Sequence, residues 1–210
     1  GMAGATAGYQ LAKRGSVLVL EMESEPGYHT TGRSAAVYSE WYGNTIVNGL
    51  TTGSKAFFLA PPTGFTEHPM LSPRGVMLIG REDQRAALDA AQAAGRHLET
   101  IRHLDREQTL ALCPVLRPDY VSGAVLEPEA MDIDVHALHQ GFLKGLRGEG
   151  GRLLTDAGVV GLARDGGVWR VETKAGAFEA RVVVDAAGAW SDQVAEMAGM
   201  APVGLVAKRR

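Results

Sequence analysis

The stretch that most constrains the fold is the first, Gly1 to Glu21, which reads GMAGATAGYQLAKRGSVLVLE. Gly1 and Gly4 stand three positions apart, the spacing of the last two glycines in G-x-G-x-x-G, the turn that opens a dinucleotide-binding helix. A glycine in the turn lets the backbone approach a pyrophosphate, and one in the first helical turn lets the helix lie close to its sheet. Ala3, Gly4, Ala5, Ala7 and Gly8 keep that face small. Amides at the helix start, helped by the helix dipole, favour an anion. Lys13, Arg14 and Gly15 mark the helix end, and the apolar run from Ser16 to Leu20 predicts a buried parallel strand. Glu21 closes it, 21 − 4 = 17 positions after Gly4. That is close to the roughly 20-residue offset at which an acid accepts ribose hydroxyls. An ordinary helix–strand packing unit would carry the same residues, so this stretch alone admits a nucleotide without requiring one.

With 210 residues, 45% of them apolar, the chain has enough material for one large domain or two small ones. A net charge of −3 offers no electrostatic footprint for nucleic acid or an anionic membrane. The basic run Lys208-Arg209-Arg210 reads as a solvated tail or a strand cut short. A single cysteine, Cys113, excludes an internal disulfide and a cysteine-only metal site, and fits a reducing compartment. No apolar run approaches the ~20 residues needed to cross a bilayer, and the first residues lack a signal-peptide pattern. The cytoplasm is the expected location.

Further along, His29-Thr30-Thr31-Gly32-Arg33-Ser34 strings donors together ahead of an expected helix from Ala35 to Tyr42. Such a start would hold an anion, or Ser34 would simply cap the helix. Asn44 predicts a second helix, with Ile46, Val47, Leu50, Phe57 and Phe58 as core, ended by Pro61-Pro62. A strand is expected from Arg74 to Gly80, a helix from Glu82 to Arg96, a short helix after Asp105, and a strand from Val121 to Leu126. The acids Glu127, Glu129, Asp132 and Asp134, followed by His136 and His139, lack the spacing of a calcium loop or a zinc helix, so no metal is expected. Asp134 instead caps a helix to about Arg147, with both histidines on or near its surface. Asp-Gly-Gly and Lys-Ala-Gly turns then divide short strands as in an antiparallel meander. An apolar strand, Val182–Val184, follows and ends in Asp185-Ala186-Ala187-Gly188, and Ser191 starts a last helix.

Four segments in order, GMAG with its helix and VLVLE, TTGRSAA, DIDVHALHQGFLKGLRGEGG leading to AGVVGLAR, and VVVDAAGAW, resemble the FAD-dependent oxidoreductases of the D-amino-acid oxidase and glycine oxidase family. The resemblance implies an α/β fold: an FAD-binding Rossmann-like domain of glutathione-reductase type with a β-meander, plus a mixed α+β substrate domain. It assigns residues 1–42 and 132–200 to the FAD-binding domain, and 43–131 with 201–210 to the substrate domain. By the same resemblance Gly1 and Gly4 face the pyrophosphate and Glu21 the adenosine ribose. Thr31, Arg33, Ser34 and Ala35 lie along the pyrophosphate and flavin, Val159 offers backbone to the adenine, and Gly188 passes close to the cofactor.

The implied reaction oxidises the C–N bond of a small amine or amino acid (a D-amino acid, glycine or a sarcosine-like compound) by hydride transfer to flavin. Oxygen or an electron carrier would take the electrons onward. No acid–base residue is required, so no catalytic residue is assigned, and Arg33, Arg74 and Arg209 are candidates for pairing with a substrate carboxylate. Family members carry a strand and a glycine before the position of Gly1 and further segments beyond that of Arg210. The sequence is therefore expected to be truncated at both ends. The competing expectations are a nicotinamide dehydrogenase, which the GRSAA and DAAGAW segments fit poorly, and a catalytically inactive flavoprotein fragment or subunit completed by a partner, with oligomerisation open.

Overall fold

In the computed structural model, which describes residues 1–206, the glycine-rich opening forms helix α1 (Met2–Ala12) and the apolar run after it forms strand β1 (Leu18–Leu20). The chain continues through β2 (Val37–Tyr38), α2 (Thr45–Leu59), β3 (Leu71–Pro73), β4 (Val76–Gly80), α3 (Arg85–Ala94), β5 (Arg102–Asp105) and α4 (Arg106–Leu112). Next come β6 (Gly123–Glu127), β7 (Met131–Ile133), α5 (Val135–Gly148) and β8 (Arg152–Leu154). The last elements are β9 (Val159–Asp165), β10 (Val168–Thr173), β11 (Gly176–Ala180) and α6 (Ser191–Met197). This mixed α/β chain divides into two compact units. One holds Gly1–Ser34, Thr63–Glu67 and the chain from Val135, the other Ala35–Pro62 and His68–Asp134.

In the first unit β1 pairs in parallel with β8, Val19 standing opposite Leu153. Parallel neighbours need a crossover, and α5 supplies it on the way into β8. Leu138, His139, Phe142, Leu143 and Leu146 make one buried stripe of α5, the spacing that turns a single helical face inward. Small residues let α1 come close. A Cβ added at Gly8 would lie 2.7 Å from Val19 Cγ2 and 3.5 Å from Leu146 Cδ1, and one at Gly145 would lie 2.5 Å from Tyr9 Cε2. Tyr9, Phe65 and Phe142 fill the adjoining space, with ring centroids 5.0 to 6.4 Å apart. Strands β9, β10 and β11 form an antiparallel sheet in which Val171 opposes both Leu162 and Phe178. Gly166 and Gly167 turn the chain between β9 and β10 at φ of 53° and 87°, a conformation that side-chain-bearing residues rarely adopt.

The second unit is built on an antiparallel sheet in the order β4-β6-β5. Val121, Ala124 and Val125 are fully buried beside or within it, and Leu88 of α3 packs over Gly80. Asp105 caps α4 by accepting from Gln108 N at 2.8 Å, while Gln108 answers with a bond to the Asp105 amide. Glu127 is buried, and its carboxylate accepts from Ser39 Oγ at 2.6 Å and from Glu40 N at 3.1 Å. Those two donors replace the water that the charge loses.

Four local expectations are corrected. Residues 35–42 do not form a helix: β2 pairs with β7, Val37 opposite Asp132, so Ser34 has no helix to cap. The apolar side chains of α2 are not core. None is buried, and Ile46 and Leu50 are 75% and 68% exposed. His139 is buried in the stripe of α5, whereas His136 is exposed. Val182–Val184 forms no strand, because no described segment offers it a ladder, and strand propensity without a neighbour does not make a sheet.

Candidate functional site

Because Gly1 has no side chain, the start of α1 has no side-chain cap on its own residue. The partner for the Met2 amide comes from 29 positions away, Thr31 Oγ1, which accepts it at 3.0 Å. Glu21 follows β1 directly. Its Oε2 lies 3.2 Å from the amino group of Gly1, and its Oε1 accepts from Met22 N at 2.9 Å and Glu23 N at 3.3 Å. A carboxylate beside the positive end of a helix is electrostatically favoured.

The segment after Glu21 is folded back on itself. Gly27, at φ +90°, accepts from Gly32 N at 2.7 Å through its carbonyl. His29 Nε2 sits 2.8 Å from Glu23 Oε1, and the same ring packs on Trp190 at a centroid distance of 4.7 Å. This links the loop to the end of the Asp185–Gly188 segment, whose Ala186 stands 3.7 Å from a Cβ built at Gly4. Four stretches distant in sequence thus meet at the first turn of α1: the turn itself, the acid after β1, the Thr31 loop and the Ala186–Trp190 run. Small residues at Gly1, Gly4 and Ala186 keep the backbone there approachable.

Under the same loop lies His139, 3% exposed, with Nε2 lacking any hydrogen-bond partner among the described residues. Its ring contacts the Gly1 backbone, and a Cβ at Gly27 would meet its Cε1 at 3.2 Å and its Nδ1 at 3.4 Å. Burial, reinforced by the Gly1 amino group and His136, pushes the imidazole below its ordinary pKa despite the Gly1 backbone and Glu21 pulling the other way.

The sequence-predicted residues divide clearly. Gly1, Gly4, Glu21 and Thr31 come together. Val159 opens β9 beside that cluster, since Ala157 N donates to the Glu21 carbonyl at 2.8 Å and a Cβ at Gly158 would lie 3.3 Å from Met22 Cβ. Gly188 is exposed at φ +60°, two residues beyond Ala186. Arg33, Ser34 and Ala35 are exposed, the Arg33 guanidinium lying 4.8 Å from the centroid of the Tyr28 ring. Arg74 is paired with Asp132 at 2.7 Å, and Arg209 lies outside the described residues. Sequence reasoning missed His139, Ala186 and Trp190 as members of the cluster. For His139 a signal existed: it stands three, four and seven residues before Phe142, Leu143 and Leu146, the spacing of one helical face.

The family model described as FAD dependent oxidoreductase, abbreviated DAO, matches residues 1–209. The chain belongs to this family. FAD is the cofactor that defines it, in agreement with the expectation drawn from the four segments. Among solved structures, glycine oxidase from Geobacillus kaustophilus superposes with a TM-score of 0.80 at 23% identity, over 95% of this chain and 56% of that one. The L-α-glycerophosphate oxidase from Mycoplasma pneumoniae, determined with FAD bound, gives a TM-score of 0.81 at 18% identity, over 94% of this chain and 54% of that one. These likenesses establish the shared mixed α/β fold. Human mitochondrial dimethylglycine dehydrogenase is 33% identical over 98 residues, 46% of this chain and 11% of that protein. The DAO-family chain thus spans little more than half the length of the solved structures it matches. None of its described helices is long and apolar enough to cross a membrane.

Proposed function

We propose that this chain carries the dinucleotide-binding face of an FAD-dependent oxidoreductase that acts on the C–N bond of a small amine or amino acid, such as a D-amino acid, glycine or a sarcosine-like compound. The observation that carries the reading is the meeting of Gly1, Gly4, Glu21, Thr31 and Ala186 at one helix start. FAD, when bound, supplies the two-electron acceptor that no side chain provides. The residues present fit it. Backbone amides in the first turn of α1 face an anion, Glu21 has the carboxylate a ribose diol needs, and the orphaned His139 Nε2 is a buried polar atom awaiting a partner.

Thr31 holds the loop against α1 through the Met2 amide, and His29 fixes the same loop to Trp190, so both act by positioning. Arg33, Ser34 and Ala35 are proposed to lie along the cofactor, Val159 to offer its backbone to the adenine, and Gly188 to pass beside it. Arg33, Ser34, Ala35 and Gly188 are exposed and Val159 is half-buried, which leaves their backbone accessible for that role. The proposed flavin domain is a Rossmann-like one of residues 1–42 and 132–200 with the β9–β11 sheet as its meander, and 43–131 with 201–210 form the substrate domain. The parallel β1–β8 pair and the discontinuity of the first unit support a flavin domain assembled from separated pieces, although residues 35–42 and 132–134 fall in the second compact unit, and 63–67 and the chain beyond 200 in the first. Oxygen or an electron carrier serves as acceptor.

Titrating the purified chain with FAD and following flavin fluorescence and visible absorbance tests the reading. Saturable binding near one FAD per chain, weakened about tenfold or more by Glu21→Ala, is expected from the loss of a charge-assisted hydrogen-bond acceptor. Absence of binding at high FAD would overturn it for this chain. Exposure of Val182 and Val184, 73% and 55%, favours one further reading, a subunit that a partner completes. Binding that appears only with added partner would select it.

A further inference from the structure

Among the described residues, His139 Nε2 is the buried side-chain polar atom without a hydrogen-bond partner. A buried nitrogen in that state is destabilising, and a bound ligand that hydrogen-bonds it would relieve the cost. The ring is 3% exposed, lies against the backbone of Gly1 at the start of the eleven-residue helix α1, and sits beneath the Gly27–Gly32 turn. A helix start whose only side-chain acceptor among the described residues is Thr31 Oγ1, on the Met2 amide, and a buried imidazole with an unpartnered nitrogen therefore lie together at Gly1. These are two independent features: the helix start suits an anion as it stands, and the imidazole does once Nε2 is protonated.

We propose that His139 Nε2 completes an anion site at the N-terminus of α1, donating as an imidazolium to a phosphate oxygen of the bound dinucleotide. The inference rests on the flavin reading above and adds to it a named phosphate ligand and a coupled proton. In the free chain, burial, the Gly1 amino group and His136 disfavour the charged ring, while Glu21 and the Gly1 backbone favour it. The net result is a neutral imidazole with an unused lone pair. An arriving pyrophosphate adds negative charge beside Nε2, which favours the charged form. The ring then takes one proton from solvent, and Nε2–H bonds the phosphate oxygen. Charge and protons balance, since the proton comes from buffer and no redox partner is involved. The sign follows from linkage: a group whose pKa rises on binding makes the ligand bind more tightly as pH falls, and that gain is lost as pH rises through the bound-state value.

The test is calorimetric titration of the intact chain with FAD and, separately, with ADP, in buffers of differing ionisation heat at about pH 7. Expected is uptake of a substantial fraction of one proton per ligand, with affinity about tenfold higher near pH 6 than near pH 8. His139→Gln, with folding checked by circular dichroism, should weaken both ligands about tenfold and abolish the uptake. Should that variant fail to fold, the wild-type proton count with FAD decides alone, because both phosphates of FAD are esterified and do not titrate near neutral pH, whereas the terminal phosphate of ADP does. Zero uptake by wild type, or unchanged affinity and uptake in a folded His139→Gln, would overturn the role of His139 and leave the flavin reading standing. If wild type binds neither FAD nor ADP, the flavin reading falls and this inference falls with it.

Discussion

Helices α1 and α2 are both rich in apolar residues, yet they are held in opposite ways. In α1, Ala5, Gly8, Tyr9 and Ala12 are buried against α5 and β1, and the contact is tight because the side chains are small. In α2 no residue is buried: Phe58 meets the Tyr38 ring at a centroid distance of 5.8 Å, and polar bonds supply further attachment. Thr52 Oγ1 and Lys55 Nζ donate to the two oxygens of Glu40 at 2.8 and 2.7 Å, and Asn48 Nδ2 donates to the Tyr42 carbonyl at 2.8 Å. Hydrophobic content alone therefore does not say which helix is core. What distinguishes them is whether the surface offers a close, complementary partner.

The largest expected effect breaks the α1 contact. Gly8→Val places methyl groups where Val19 and Leu146 already stand, and should cost about 3 kcal/mol in urea unfolding, since overpacking a close contact forces the backbone apart. In α2 the strongest local device is the cap, Asn44 Oδ1, which accepts from Ile46 N at 3.0 Å and Val47 N at 3.1 Å. Asn44→Ala should cost about 1 kcal/mol, read from the same unfolding curves.

The polar tie is smaller and depends on pH. Burial opposes the charge on Glu40, but the bonds from Lys55, Thr52 and Tyr38 outweigh it and hold the carboxyl below its ordinary pKa. Its contribution is present above the unfolded-state value and is lost as pH falls through the lowered one. Lys55→Met should flatten that acid-side loss and cost about 0.5 kcal/mol at neutral pH, a modest figure because Lys55 is 40% exposed. Stability measured against pH for both proteins checks this. Smallest of all, Leu50→Ala on the exposed face should change stability by less than about 0.5 kcal/mol, and a loss of 2 kcal/mol or more would mean that α2 packs as tightly as α1.

Much of the first unit was legible because its signals are local. Glycine spacing in Gly1–Gly8, the β-branched run before Glu21 and the Asp165-Gly166-Gly167 turn each restrict the backbone over a few residues, and helix, strand and reversal follow. Asn44 and Asp105 were readable as caps for the same reason. The misread stretches depend on neighbours. Val37 and Tyr38 join β7 rather than a helix because a distant strand offers them hydrogen bonds, and Val182–Val184 stays out of a sheet because none does.

The sequence by itself determined the helix–strand unit at the front, the acid that ends it, the turn and cap chemistry, and membership of the DAO family, because each is written in residue types close together along the chain. Only the tertiary structure decided that Thr31 reaches the start of α1, that Ala186 stands beside Gly4, that α2 lies exposed, and that His139 is buried with one nitrogen unused. Those facts turn on which distant segments meet, and a hydrogen bond or a close contact requires both partners to be in place before either residue's role exists.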